Sequence, residues 1–428
     1  MIKIVLAGDV FMTRRLPEAG YKGMEEITSL IKQHEVRFAN FESTVHRREG
    51  YPSLFPGGTY AMTDPDCLAD FKKYGFNILN TANNHSMDYC HDGLIATTRY
   101  LQNNGFLFAG TGENLADASS PVYLDCCNGR VSLIGCTNSF HDSDAAGNQS
   151  PAMKGRPGVN PLRHKTVYEL TAENINFLKK ISLETGINDD QNLLIKEGFL
   201  LPKENFCFGD YEFKEGITNK TNTCPLEKDM DRIIKSVKEA KRQSDCVMVS
   251  IHSHEFKNGD KESSPDFIRD FAKSCIDAGA NIIIGHGPHI IRGIELYKDG
   301  VIFYGLGNFI FENETVSRLP ADFYEKYGMD IAETVGAAID SRSKNNTIGL
   351  GVDQRVWKSI MPGIEFNTGH IERILIYPIE LGYNLPRSRK GKPFLSHEDS
   401  VFNDLSRLSA VYGTIISVNN GIGEVKIM

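Results

Sequence analysis

An α/β fold built on parallel strands is predicted by two features of this 428-residue chain. Short apolar runs alternate with helical patterns through residues 1–137 and again after about residue 227, the rhythm of βαβ units. Five of those runs also lead directly into a loop bearing a carboxylate, an amide or a histidine. Residues 4–7 run into Gly8-Asp9, 36–39 into Asn40-Phe41-Glu42, and 77–80 into Asn83-Asn84-His85. Residues 247–251 run into His252-Ser253-His254-Glu255, and 281–284 into Gly285-His286-Gly287-Pro288-His289. The strand ends of a parallel sheet lie along one edge, so side chains this far apart in sequence can meet in one crevice.

Taken in order, Met1-Ile2-Lys3-Ile4-Val5 opens the first strand. Asp64-Pro65 begins a helix to Tyr74, and Asp92-Gly93 lies at the start of another ending near Asn104-Gly105. Residues 106–109 and 131–134 read as further strands. From about 138 to 226 the alternation breaks into polar, turn-rich sequence with one good helix, 171–185, bounded by Thr171 and Gly186. A structureless loop of that length is improbable in a compact domain, so the segment is expected to be an insertion or lid with structure of its own. The pattern resumes with a helix over 229–242 and an amphipathic one over 265–278, whose Phe267, Ile268, Phe271, Ala272, Cys275 and Ile276 share a face. Residues 291–297 and 301–304 flank Lys298-Asp299-Gly300 as a hairpin. Residues 316–355 are poorly patterned. The tail carries a helix over 400–408 and a hairpin turning at Asn420-Gly421. The expected organisation is a core of 1–137 and 227–315, the 138–226 insertion, and a β-rich extension over 316–428.

With 40% apolar and 24% charged residues, the composition is that of an ordinary globular protein. A net charge of −8 gives no reason to expect a nucleic-acid partner and means that any polyanionic substrate needs local basic residues. The opening residues read as a strand, so no leader is expected, and no apolar run is long enough to span a membrane. The nine cysteines form neither a disulfide framework nor a zinc-type pair, which fits reduced thiols and a cytoplasmic location.

Each motif has an ordinary reading beside the functional one. Gly8-Asp9 alone is a common strand-end turn, and Glu42 alone could cap a helix. Asn83-Asn84-His85 is harder to dismiss, since a core would have to satisfy every one of its polar groups. Asp88 reads as a cap or a carboxylate behind a ligand. Four of the twelve histidines, His252, His254, His286 and His289, lie in two short loops after strands, and metal ligation is favoured there. Arg156, Asn160 and Arg163 sit among Pro157, Gly158 and Pro161 in the insertion, either as a solvated loop or as an anion clamp. The run 387–392 reads as a solvated turn.

In these motifs the chain resembles the CapA family of poly-γ-glutamate and capsule synthesis proteins. The matching pieces are Gly8-Asp9, Asn40-Phe41-Glu42, Thr81 to His85 with Asp88 and Gly93, His252 with Glu255, 277–289, Gly293 to Tyr297 and Tyr304 to Phe309. The family is similar to calcineurin-like metallophosphatases, which implies a four-layer α/β/β/α sandwich around two divalent ions (Mn, Fe or Zn). The resemblance implies that Asp9 and His289 hold the first ion, Glu42 bridges, and Asn84, His252 and His286 hold the second. His85 would be the general acid, with Asp88 and Glu255 beside it, and Arg156, Asn160, Arg163 and His254 would bind substrate. Phe11 stands where metallophosphatases usually place a histidine. The expected function is metal-dependent hydrolysis of a γ-glutamyl-type amide in a small or oligomeric anionic substrate. Phosphoester hydrolysis at the same centre and a non-catalytic polymer-binding or assembly role are the alternatives. No membrane or nucleic-acid partner is expected, and the insertion and tail leave room for a homodimer.

Overall fold

The structure, a computed structural model, describes residues 1–427. Two β-sheets of ten and six strands lie face to face. The larger is centred on Ile2–Phe11, which pairs in parallel with Val36–Phe41; that strand continues to Ile78–Asn80 and then Leu107–Ala109. The smaller sheet has a parallel centre made of Gly129–Thr137, Cys246–His252, Ile282–His286 and Gly300–Phe303.

Side-chain alternation explains the layers. Ile4 and Leu6 point between the sheets with Phe38, Leu133, Met248 and Ile284, forming the inner core. Val5 and Ala7 point outward, onto Ile27, Ile31, Leu68 and Phe71 of two helices. On the far side Val247 and Val249 bury Val237, Phe267 and Phe271 of the helices Glu227–Gln243 and Asp266–Asp277. Strands buried on both faces are continuously apolar, as these are. The result is the four-layer α/β/β/α sandwich, and the five motif-bearing strands are divided between its two sheets rather than lying along one.

Residues 164–225 contain a four-stranded sheet with the helices Ala172–Thr185 and Asp189–Lys196. The C-terminal region goes further than packing on the core. Lys358–Asn367 joins the larger sheet antiparallel to the first strand, Ile2 facing Phe366 and Val5 facing Gly363, and His370–Glu380 follows as its neighbour. Pro362 falls just past the last residue paired with the first strand, where its missing N–H is tolerated. The other half of the first strand pairs with Asn308–Phe311.

Candidate metal centre

The sandwich brings the C-terminal ends of both sheets together, and with them the polar loops. Asp9 leaves the first strand at a register shift, between strands that reach it from both sides. Gly8 is required there by space: a Cβ would lie 1.8 Å from the Gly307 carbonyl oxygen, which accepts the Asp9 N–H at 3.0 Å. Gly287 has φ +112° and lies so close to the Ser253 backbone that a side chain would clash. His289 adopts a left-handed conformation, φ 58°, which turns its ring back toward Asp9.

Two groups of ligand atoms result, each within 4.8 Å: Asp9, His252 and His286, and Glu42, His254 and His289. His252 Nδ1 lies 3.0 Å from His286 Nδ1 and 3.9 Å from Asp9 Oδ1. His252 Nε2 lies 3.6 Å from Glu42 Oε1 and 3.1 Å from His254 Nε2. Separations of about 3–4 Å are those of donors about 2 Å from a shared small cation. His254 stands with Glu42 and His289, while Asp9 lies 3.4 Å from His289 Nδ1 and 3.7 Å from His286 Nδ1, so the two groups adjoin. The pattern His-Ser-His at a strand end carries the signal for His254, since alternate residues share a side.

Outer contacts fix these side chains. Asn80 donates to Asn40, and Asn40 donates to Asp9 Oδ1 at 2.8 Å. Ser250 meets His286 Nε2 at 2.6 Å, and Asn308 Oδ1 meets His289 Nδ1 at 2.8 Å. Such partners set the tautomer and orientation of a ligating imidazole.

The electrostatics fit a cation. Glu42 is fully buried, and neither carboxylate oxygen has a hydrogen-bond partner; the buried Oδ1 of Asn84 is likewise unpaired. A native core does not leave such groups bare without a reason. Burial, then Asp9 and Asp88, push the Glu42 carboxyl well above its ordinary pKa. Burial also lowers His252 and His254 far below theirs and His286 to about 4, which keeps these rings neutral, the form that binds metals. For Asp9 burial acts upward, but its hydrogen bonds with His289 and Asn40 outweigh it and its pKa is lowered. Buried carboxylate, amide and imidazole donors suit divalent Mn, Fe or Zn.

His85 lies beside the cluster, its Nδ1 2.7 Å from Asp88 Oδ2. Asp88 is buried and also accepts the N–H groups of Gly57 and Ala61, each at 2.7 Å, so it anchors the 57–61 loop and His85 together. Phe11 packs edge-on against His85, ring centroids 5.1 Å apart. A cavity of about 350 Å³ opens here, bordered by Phe11, His85, His254 and His289.

Four expected site residues lie elsewhere. Arg163 is committed to Asp229 through Nε at 2.7 Å and Nη2 at 2.8 Å. Asn160 is wholly buried and donates to the Gly135 carbonyl, so no substrate can reach it. Arg156 is exposed and donates to the Ala145 carbonyl. Glu255 is exposed as well, because the chain leaves the site after His254 and Arg292 holds the Glu255 carbonyl. None of these four lines the cavity, nor does any residue of 138–226. The far wall comes from Lys261 and residues 326–351, which no sequence motif marked.

Comparison with known proteins agrees with the motifs that built this centre. The family model for "Bacterial capsule synthesis protein PGA_cap" matches residues 3–313. The uncharacterized protein y4sH of Sinorhizobium fredii (strain NBRC 101917 / NGR234) is 31% identical, with 99% of this chain and 93% of that protein aligned. The PGA biosynthesis protein CapA of Bacillus subtilis (strain 168) is 25% identical over 71% of this chain and 62% of its own length. A hypothetical protein of known structure from Thermus thermophilus overlays with a TM-score of 0.40 at 10% identity, covering 89% of this chain and 99% of that one. The family match runs from the first strand through the loops bearing Asp9, Glu42, Asn84, His252, His286 and His289, and by it this chain belongs to the bacterial capsule synthesis protein family PGA_cap.

Proposed function

We propose that the protein is a metal-dependent hydrolase that cleaves an amide bond of the γ-glutamyl type in an anionic substrate. The observation that carries this reading is the buried Glu42 carboxylate, unpaired on both oxygens and faced by His252, His254 and His289. A capsule assembly subunit without chemistry has no use for such a group, whose burial costs stability unless a cation answers it. The amide preference draws on relatives named for PGA and capsule biosynthesis.

When bound, divalent ions supply Lewis-acid polarisation and a water of lowered pKa. Asp9, His252 and His286 would hold one ion, and Glu42, His254 and His289 the other, with Asn84 Oδ1 free to join. The chain's own residues do the rest. His85 borders the cavity, and Asp88 accepts the hydrogen bond of its Nδ1 and so fixes the ring's orientation. With Nδ1–H held by Asp88, Nε2 of His85 can take a proton from the attacking water and pass it to the departing amine, leaving the balance of protons unchanged. Phe11 and Phe311 pack their rings on His85 and His289 at the border of the cavity and restrict how these two rings can turn.

The test begins with elemental analysis of the full chain purified without chelator, alongside His252→Ala and His286→Ala. We expect at least one transition metal in the native protein and less in each variant, with little loss of fold. A screen of γ-glutamyl amides against phosphoesters then reads the bond cleaved. Metal-free native protein, or turnover of phosphoesters alone, would overturn the proposal.

A further inference from the structure

The far wall of the cavity is built largely by residues beyond 313, where the family match ends. The helix Val335–Arg342 brings Arg342 to it, and Arg342 Nη1 donates to Thr59 Oγ1 in the loop anchored by Asp88. Lys326 follows from the helix Ala321–Lys326, and Lys261 from the loop after His254. None of these three cations is in an ion pair among the described residues. Other cations of the same region are paired: Arg355 with Asp353, Arg387 with Asp340, and Lys390 with Glu314 at 2.7 Å. Glu314, the one carboxylate bordering the cavity among the described residues, is thereby already answered.

Three unpaired cations on one wall are notable in a chain of net charge −8. Burial lowers Arg342 and Lys261 from their ordinary pKa values, so an anion in the cavity would relieve both. Arg342 has Nε and Nη2 without a partner among the described residues, the planar edge that matches a carboxylate or phosphate.

We propose that Arg342, with Lys261 and Lys326, forms the anion-recognition wall of the centre and takes a carboxylate or phosphate group of the substrate whose scissile bond lies at His85. The inference rests on the hydrolase reading for its link to turnover, but not for the binding itself. It moves substrate selection from the insertion to residues 326–351, a wall added to the family core.

The test is calorimetric titration of glutarate and of inorganic phosphate, separately, into the metal-free full chain at low ionic strength. Wild type should bind at least one probe below about 10 mM; which one it binds tells carboxylate from phosphate. Arg342→Gln should weaken that binding about tenfold or more, the effect of losing one charge-assisted contact. Arg342→Lys should weaken it less, and Arg156→Gln, in the insertion, should leave it unchanged. Lys326 is exposed, so Lys326→Gln folds and should weaken binding several-fold even if Arg342→Gln does not fold. Absence of binding to wild type, or equal binding by Lys326→Gln and wild type, would overturn the proposal. A chain that binds the probes yet takes up no metal would defeat the hydrolase reading alone.

Discussion

Glu42→Ala separates a ligand from a structural core residue. In the metal-free protein the wild-type carboxyl is buried with no hydrogen bond. Removing it relieves about 1–3 kcal/mol of unmet desolvation and loses about 1 kcal/mol of packing, so stability should stay within about 1–2 kcal/mol of wild type or rise. With a divalent ion at a hundred times its Kd, wild type gains about 2.7 kcal/mol. Losing one negative charge about 4 Å from the divalent ion, at an effective dielectric of about 20, removes about 8 kcal/mol of attraction, and even half of that costs roughly 10³-fold in affinity. The same metal concentration is then about a tenth of the variant's Kd, and the gain falls below about 0.1 kcal/mol. An unfolding entropy of about 2.1 cal/mol/K per residue over 428 residues makes 1 kcal/mol worth about 1 °C. Differential scanning calorimetry with Mn, Fe and Zn should therefore show Tm rising by about 3 °C for wild type and by nothing measurable for Glu42→Ala. An equal rise in both, or a variant that has already lost many degrees without metal, would refute the ligand assignment.

His85→Ala should lower turnover by about 10²–10⁴-fold while metal content, read by elemental analysis, stays at the wild-type level; full activity would exclude it as the acid. Asp229 supplies a prediction in pH. Its burial acts upward, but the bonds from Arg163 and Arg232 outweigh it and hold its pKa below the usual carboxylate value. A group depressed in the folded state stabilises fully above its unfolded pKa of about 4 and loses that contribution as pH falls through the folded value. Asp229→Asn should therefore cost about 1–3 kcal/mol near pH 7, reduced by the partial exposure of Arg163, and the gap to wild type should close as urea unfolding is repeated from pH 5 down to pH 2. A gap that widens on acidification would contradict the pairing.

The elements that were legible in the sequence are those whose local pattern already encodes their surroundings. Continuous apolar runs ending in Gly8-Asp9 or Gly285-His286 announce strands buried on both faces, and the single-faced helix around Phe267 and Phe271 lies where its periodicity puts it. Membership of one sheet or the other has no such local signature, which is why the motif strands read as sharing one edge. Arg163 and Asn160 misled because an arginine in a stiff loop looks the same whether it awaits a ligand or answers a distant carboxylate, here Asp229, 66 residues on. The cavity wall was invisible for the opposite reason. Its helices, Ala321–Lys326 and Val335–Arg342, are only six and eight residues long, too short to show a period, and tertiary packing on Trp357 and Phe311 positions them. The strands Lys358–Asn367 and His370–Glu380 were hidden by Pro362 and Pro378, which local rules treat as breakers.

The pairing of Ile2 with Phe366 also has a consequence for the order of events in synthesis. The two residues are 364 positions apart, the difference of their numbers. At about 5–20 residues per second the ribosome takes roughly 20–70 s to deliver the second after the first. Through that interval residues 2–5 present a bare strand edge, the kind of template that recruits other chains. Contacts this remote also slow folding, since the loop must close before they can form. A fragment ending at residue 313 would keep that edge open permanently, so the end of the family match is not a boundary at which this polypeptide can be cut.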